Sequence, residues 1–201
     1  MIREAYRYLL AEVYDPFLAS LEKELESHRR ELLSRTFGDV LEAGAGTGVN
    51  FRFYPDDARV YAVEPSAAMI RKARKKLRPG IRLIHAAVED VPQLKNMPHR
   101  FDFVVSTLVM CTVKDPYEAA RVYGQILKPG GKLLVLEHIH SSDRLYGKFQ
   151  KWINPLWRPL ADGCNLTRRQ DIILKEAGFV PVEESYFRTG LDWYKAVMVK
   201  K

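Results

Sequence analysis

The 201-residue chain holds only two cysteines, Cys111 and Cys164, far apart and without a C-x-x-C pair. That spacing supports neither a disulfide framework nor a structural zinc site, so no metal is expected and a reducing, cytoplasmic compartment fits best. Long apolar runs are missing too. The longest, "FDFVVSTLVMCTV", falls short of the ~20 residues that span a bilayer. The opening "MIREAYRYLLAEVY" lacks the basic-then-apolar order of a signal peptide. No internal repeat and no low-complexity linker interrupts the chain.

What is present bounds a single catalytic-sized unit, because 201 residues with 47% hydrophobic composition can bury one sizeable core and not two. We therefore expect one domain over residues 1–201. The net charge of +7 alone does not separate a nucleic-acid partner from an anionic surface or an acidic substrate. Its densest run, Arg71, Lys72, Arg74, Lys75, Lys76 and Arg78, lies on one expected helix and reads as a solvated face.

Residues 1–34 carry apolar positions at helical spacing (Ile2, Tyr6, Leu9, Leu10, Val13, Phe17), with Pro16 expected to split them into two lid helices. Strand-like runs then alternate with helical patterns: "DVLEA", "RVYAVE", "IRLIHA", "FDFVVST" and "KLLVLEH" against helices near 66–77 and 116–127. This alternation implies right-handed crossovers and a doubly wound, mostly parallel α/β sheet over residues 37–140. Residues 141–166, rich in aromatic and basic side chains with no clean period, read as an insertion over the sheet edge. A helix from about Thr167 to Ala177 follows, then two antiparallel strands parted by Gly190, which complete a sheet of seven.

The segment "VLEAGAGTGVNFRFYP" places Gly44, Gly46 and Gly48 behind the first strand. A dinucleotide loop would read G-x-G-x-x-G, and a triphosphate loop would add lysine followed by serine or threonine. Neither pattern is present, so a ligand without a polyphosphate is favoured. Glu42 before the loop suits a cationic amine, and Glu64 at the end of the second strand suits two ribose hydroxyls. Glycines at 44 and 46 let the backbone approach the ligand closely. Acid, glycine loop and acid together describe a nucleoside with a cationic amino-acid tail, S-adenosylmethionine.

"VLEAGAGTG", "VYAVEPSAAMIRKAR", "FDFVVST" and "LKPGGKLLVLEH" resemble, in that order, the motifs of the class I S-adenosylmethionine-dependent methyltransferases. The resemblance implies that Glu42, Gly44, Ala45 and Gly46 surround the methionine moiety, that Glu64 binds the ribose, and that Pro65 and Met69 lie near the adenine. Val88 and Glu89 fall in the segment edging the adenine. Ser106 and Thr107 fall next to donor and acceptor, and Tyr14 in the lid. "GTGVNFRFYP", "STLVMCTVKDP", "LADGCNLTRR", Glu137-His138, Trp152 and Trp157 further resemble the methyltransferase-like alkyl-thiol S-methyltransferases. The chain departs from that family in Ala45 and in Glu64, and no N-terminal membrane anchor of their kind is expected in it.

The resemblance implies a small-molecule acceptor, a thiol or sulfide. A thiol needs little help to react, because a minority is already thiolate near neutrality. A lipid or isoprenoid-quinone acceptor, and a donor-binding module without chemistry, are the alternatives. Nucleic acid is disfavoured, since "STLV" stands where an Asn-Pro-Pro-Tyr-type tetrapeptide would hold a flipped base. His138 is the candidate base, with Asp162 to orient it, to bind a cationic acceptor or to cap the turn at Gly163. Cys111 reads as core. Tyr146, Phe149, Trp152 and Trp157, interleaved with Lys148, Lys151 and Arg158, fit either the wall of an acceptor pocket or a peripheral membrane contact.

Overall fold

In the computed structural model, which describes the backbone of residues 2–201 and the side chains of Tyr8 and residues 19–201, a seven-stranded sheet runs in the order β3-β2-β1-β4-β5-β7-β6. β1 (Asp39–Ala43), β2 (Arg59–Glu64), β3 (Ile81–His85), β4 (Phe101–Thr107) and β5 (Leu127–Ile139) are parallel. β6 (Phe179–Thr189) and β7 (Leu191–Lys200) join antiparallel, as expected from the Gly190 break.

Strand alternation splits the core into two layers. Leu41, Ala43, Val104, Leu133 and Val135 pack toward α3 (Pro116–Ile126) and α5 (Gln170–Glu176). Val40, Phe103, Val105, Leu134 and Leu136 pack on the opposite face, with Leu25, Leu32 and Leu33 of α1 (Ile2–Leu33) and Ala73 of α2 (Ala67–Ala73). The strand order reverses at β1, between β2 and β4, so the crevice beyond its carboxyl end is where an open α/β sheet holds its ligand.

Three expectations need correction. The N-terminal segment is one helix, running without interruption through Pro16. A proline removes a single N–H from the ladder, and the helical pattern continues on both sides. Residues 141–166 contain a 17-residue helix, α4 (Arg144–Leu160). Asp143 caps it, its carboxylate accepting from the Tyr146 N–H at 2.7 Å. Pro155 and Pro159 inside it hid the period from a sequence reading. Finally, Thr167 is not the cap of α5, which starts at Gln170; its hydroxyl donates to Asn165 Oδ1 at 2.8 Å.

Candidate active site

The carboxyl ends of β1, β2, β4 and β5 open into a cavity of about 1210 Å³. The glycine loop forms its floor. Gly44 and Gly46 both have left-handed backbone (φ 61° and 55°). A Cβ on Gly44 would strike Val109 at 2.8 Å, while one on Gly46 meets no atom within 4 Å and would project into the cavity. The loop is pinned to β2 by Ala45 N–H, which donates to Val63 O at 2.9 Å, and by Gly46 N–H, which donates to Glu64 Oε2 at 2.9 Å. Ser66 N–H reaches the other oxygen of Glu64 at 2.8 Å. Glu64 is thus fixed by two backbone amides at the place expected for a ribose ligand. Pro65, Met69, Val88, Glu89, Ala45 and Thr107 line the same cavity, as the resemblance implies.

Glu42 and Ser106 are buried away from the cavity wall, and strand parity explains both. Glu42 shares the α1-facing side of β1 with Val40, and its Oε1 accepts from Asn50 Nδ2 at 2.9 Å, which places Asn50 between it and the ligand space. Burial pushes its carboxyl up to about 7, with Asn50 and Arg29 pulling the other way. Ser106 points to the α3 layer, where its hydroxyl donates to Glu137 Oε1 at 2.9 Å beside the Tyr123 hydroxyl at 3.2 Å. Thr107, one residue on, points back to the cavity. The Tyr14 side chain lies outside the described residues.

Two charged residues that sequence reasoning passed over line the cavity where Glu42 does not. Arg29 and Glu22, seven apart and therefore on one face of α1, both line the cavity. Arg29 Nη1 donates to Asn50 Oδ1 (2.7 Å) and Thr107 Oγ1 (3.1 Å), and Nη2 pairs with Glu22 Oε1 at 3.0 Å. Glu22 Oε2 and Arg29 Nε are buried with no protein partner. An anionic and a cationic group with spare hydrogen-bonding capacity, beside the glycine loop, match the ammonium and carboxylate of a methionine tail. With Glu64 at the ribose and Gly46 leaving room for the ligand, the residues fit S-adenosylmethionine.

The cavity wall beyond β4 is organised by Glu137. Its Oε1 accepts from Val109 N–H (2.9 Å) and Met110 N–H (3.1 Å) as well as from Ser106. This folds the loop after β4 tightly, with Leu108 at φ 60°, an uncommon conformation for a branched side chain. Arg168 clamps the loop from the other side, Nη1 donating to Met110 O (2.6 Å) and Val113 O (2.8 Å). The clamped loop carries Cys111, which is buried but reaches the cavity wall beside His138 and Cys164. One donor atom from each of the three lies within 4.8 Å of the others. His138 Nε2 is 3.3 Å from Cys164 Sγ, and its Nδ1 is buried with no protein partner. Cys111 Sγ donates to Leu108 O at 3.6 Å; the closeness of the two sulfurs, with His138 beside Cys164, pulls the Cys164 thiol below its ordinary pKa, while Cys111, beside that sulfur and fully buried, is pushed above it. Asp162 lines the cavity two residues before Cys164, with φ 45° in the turn that continues through Gly163.

The aromatic segment divides. Trp157 lines the cavity, but Phe149 and Trp152 do not. Together with Leu145 and Leu156 they form a solvent-exposed stripe along α4, at 79, 52, 75 and 63% exposure in the order 145, 149, 152, 156. Arg144, Lys148, Lys151 and Arg158, all exposed, flank it, and α4 contains no acidic residue.

A doubly wound sheet with an antiparallel β7 inserted before β6, and this glycine loop and acid at its switch point, define the class I methyltransferase fold. Residues 5–184 match the family model described as a methyltransferase domain, and the chain belongs to that family. Human Thiol S-methyltransferase TMT1A is 32% identical, the match covering 90% of this chain and 76% of the relative. Human Thiol S-methyltransferase TMT1B is 31% identical over 92% and 82%. Among solved structures, an O-methyltransferase family protein from Burkholderia thailandensis superposes with a TM-score of 0.74 at 14% identity, covering 99% of this chain and 62% of that one. A methyltransferase in complex with the Haloferax volcanii Trm112 activator gives 0.72 at 15%, covering 97% and 98%. The protein is an S-adenosylmethionine-dependent methyltransferase. When bound, the donor supplies an electrophilic methyl group on a sulfonium, and the chain supplies alignment and a dry cavity.

Proposed function

We propose that this enzyme methylates the sulfur of a small, apolar thiol. The observation that carries this reading is the relationship to thiol S-methyltransferases across about nine-tenths of the chain. The cavity supports it: Val109, Trp157, Leu160, Leu166, Leu191 and Trp193 give the acceptor an apolar wall, and desolvation strengthens a thiolate nucleophile toward a cationic methyl donor. His138, at that wall, is the group to receive the acceptor's proton, with Asp162 lining the same cavity.

The α4 stripe adds a route of supply. Its basic flank and exposed Leu145, Phe149, Trp152 and Leu156 suit an anionic lipid surface, from which an apolar thiol would enter. That feature also makes a lipid or quinone acceptor the second reading. The test offers equal concentrations of an alkyl thiol, a phenol, an amine and a quinol together with methyl-labelled donor. Label chiefly in the thioether supports the proposal; label chiefly in the phenol or quinol ether, with the thiol untouched, overturns it.

A further inference from the structure

The chain contains two cysteines, and the fold brings both to one point with a histidine. Cys111 comes from the loop after β4, His138 from the end of β5 and Cys164 from the turn after α4, so three separate elements converge there. The sequence spacing discouraged a metal site; the three-dimensional arrangement does not.

We propose that Cys111 Sγ, Cys164 Sγ and His138 Nε2 bind a zinc-class divalent ion, with the fourth position open to the cavity and taken by the acceptor thiol. The donor atoms lie within 4.8 Å of one another, and Nε2 and Cys164 Sγ are 3.3 Å apart. A tetrahedral zinc with the usual Zn–S and Zn–N bonds has ligand edges of roughly 3.5–3.8 Å, so small side-chain shifts close the site. Two sulfurs and one imidazole are a borderline-soft set suited to that ion, and three protein ligands with one open position is the arrangement of catalytic rather than structural zinc. The surroundings are rigid in the way such a site requires. The Cys111 loop is held by Glu137 and Arg168, and His138 packs edge-on against Trp193 with ring centroids 6.2 Å apart. All three ligands also line the cavity in which the glycine loop and Glu64 hold the donor.

The role rests on the thiol reading above. With Nε2 on the ion, His138 acts as a ligand in place of the base role given to it above: the metal-held thiol gives up its proton to solvent or buffer and stays thiolate at neutral pH. The sulfur lone pair then forms the bond to the donor's methyl carbon as the sulfonium C–S bond breaks, its electrons returning to the donor sulfur. The products are a neutral thioether, a poorer ligand that leaves the ion, and adenosylhomocysteine.

The test titrates cobalt(II) into reduced, chelator-treated full-length protein. One ion per chain, with thiolate-to-cobalt charge transfer and the strong visible absorption of a four-coordinate ion, is expected. Cys111→Ser, Cys164→Ser and His138→Ala should each weaken binding at least tenfold, while adenosylhomocysteine affinity by calorimetry stays within twofold and certifies the fold. Weak binding that is the same in all variants overturns the site; so does a Cys111–Cys164 disulfide in the purified protein that, once reduced, binds no metal. An alkyl thiol should shift the charge-transfer band, and an unchanged band overturns the fourth-ligand role. Full-rate thioether formation by metal-free protein also overturns that role and leaves thiol methylation standing. A shifted band with no thioether formed keeps the metal site and overturns the thiol function instead.

Discussion

Arg29 Nη2 and Glu22 Oε1 stand 3.0 Å apart on α1, at the wall of the donor cavity. Both residues line the cavity wall, which Glu42 does not reach, and we propose this pair as the charged couple for the amino-acid end of S-adenosylmethionine. Arg29→Met should therefore lower adenosylhomocysteine affinity at least tenfold while changing adenosine affinity, which involves no amino-acid tail, by less than threefold. Calorimetry with both ligands checks this. Equal losses for the two would mean that Arg29 only supports the fold. The same variant should lose a few kcal/mol of stability, because a largely buried carboxylate is left without its cation.

Glu64→Ala should weaken adenosylhomocysteine binding by about tenfold, the combined value of two net hydrogen bonds of ~0.5–1.5 kcal/mol each. Unchanged affinity by calorimetry would remove the ribose assignment.

Gly46→Ala places a methyl group in the ligand space at φ 55°. The conformational cost is ~1–2 kcal/mol, which a folded domain of this size tolerates. Donor binding should fall below detection while the far-ultraviolet circular dichroism spectrum is retained. An alanine variant with wild-type donor affinity would place the ligand elsewhere.

Glu42 links stability to pH. Its folded-state pKa, raised from 4.5 to about 7, means that its contribution is fully present below pH 4.5 and is lost as pH rises through 7. At 1.36 kcal/mol per unit the ceiling is about 3 kcal/mol. Glu42→Gln cannot ionise, so urea unfolding from pH 5 to 8 should show the variant gaining on wild type as pH rises. Parallel stability curves would show that Glu42 is ionised throughout.

For α4, wild-type protein should co-sediment with vesicles containing anionic lipid and much less with neutral vesicles. Phe149→Glu with Trp152→Glu should reduce the bound fraction at least fivefold without altering donor affinity. Binding that is indifferent to both lipid charge and the two substitutions would rule out α4 as the contact.

The parts of this fold legible in the sequence were those set by local period and turn chemistry. β1, β2, β4, β6 and β7 begin and end where their apolar runs do. The glycine loop, Glu64 and Thr107 were legible because motif order places them at strand ends. That Glu42 and Ser106 do not line the cavity is not legible in the motifs, because parity decides which layer a strand residue faces and a motif does not reveal the partner across that layer. Arg29 and Glu22 were missed because a charged pair on a long helix resembles any solvated pair until the helix is docked. The E-x₆-R spacing was the available signal. α4 was hidden by Pro155 and Pro159, and Cys111 and Cys164 were judged separately because 52 intervening residues conceal their meeting.

The central claim is transfer of the donor's methyl group to a thiol sulfur. It is tested most directly by incubating purified protein with methyl-deuterated S-adenosylmethionine and one alkyl thiol, then identifying products by mass spectrometry against a no-enzyme control. The account predicts enzyme-dependent S-trideuteromethyl thioether and adenosylhomocysteine in equal amounts, both abolished in the Gly46→Ala protein. Adenosylhomocysteine formed only with a phenol, amine or quinol, and no labelled thioether at any thiol concentration, would contradict it.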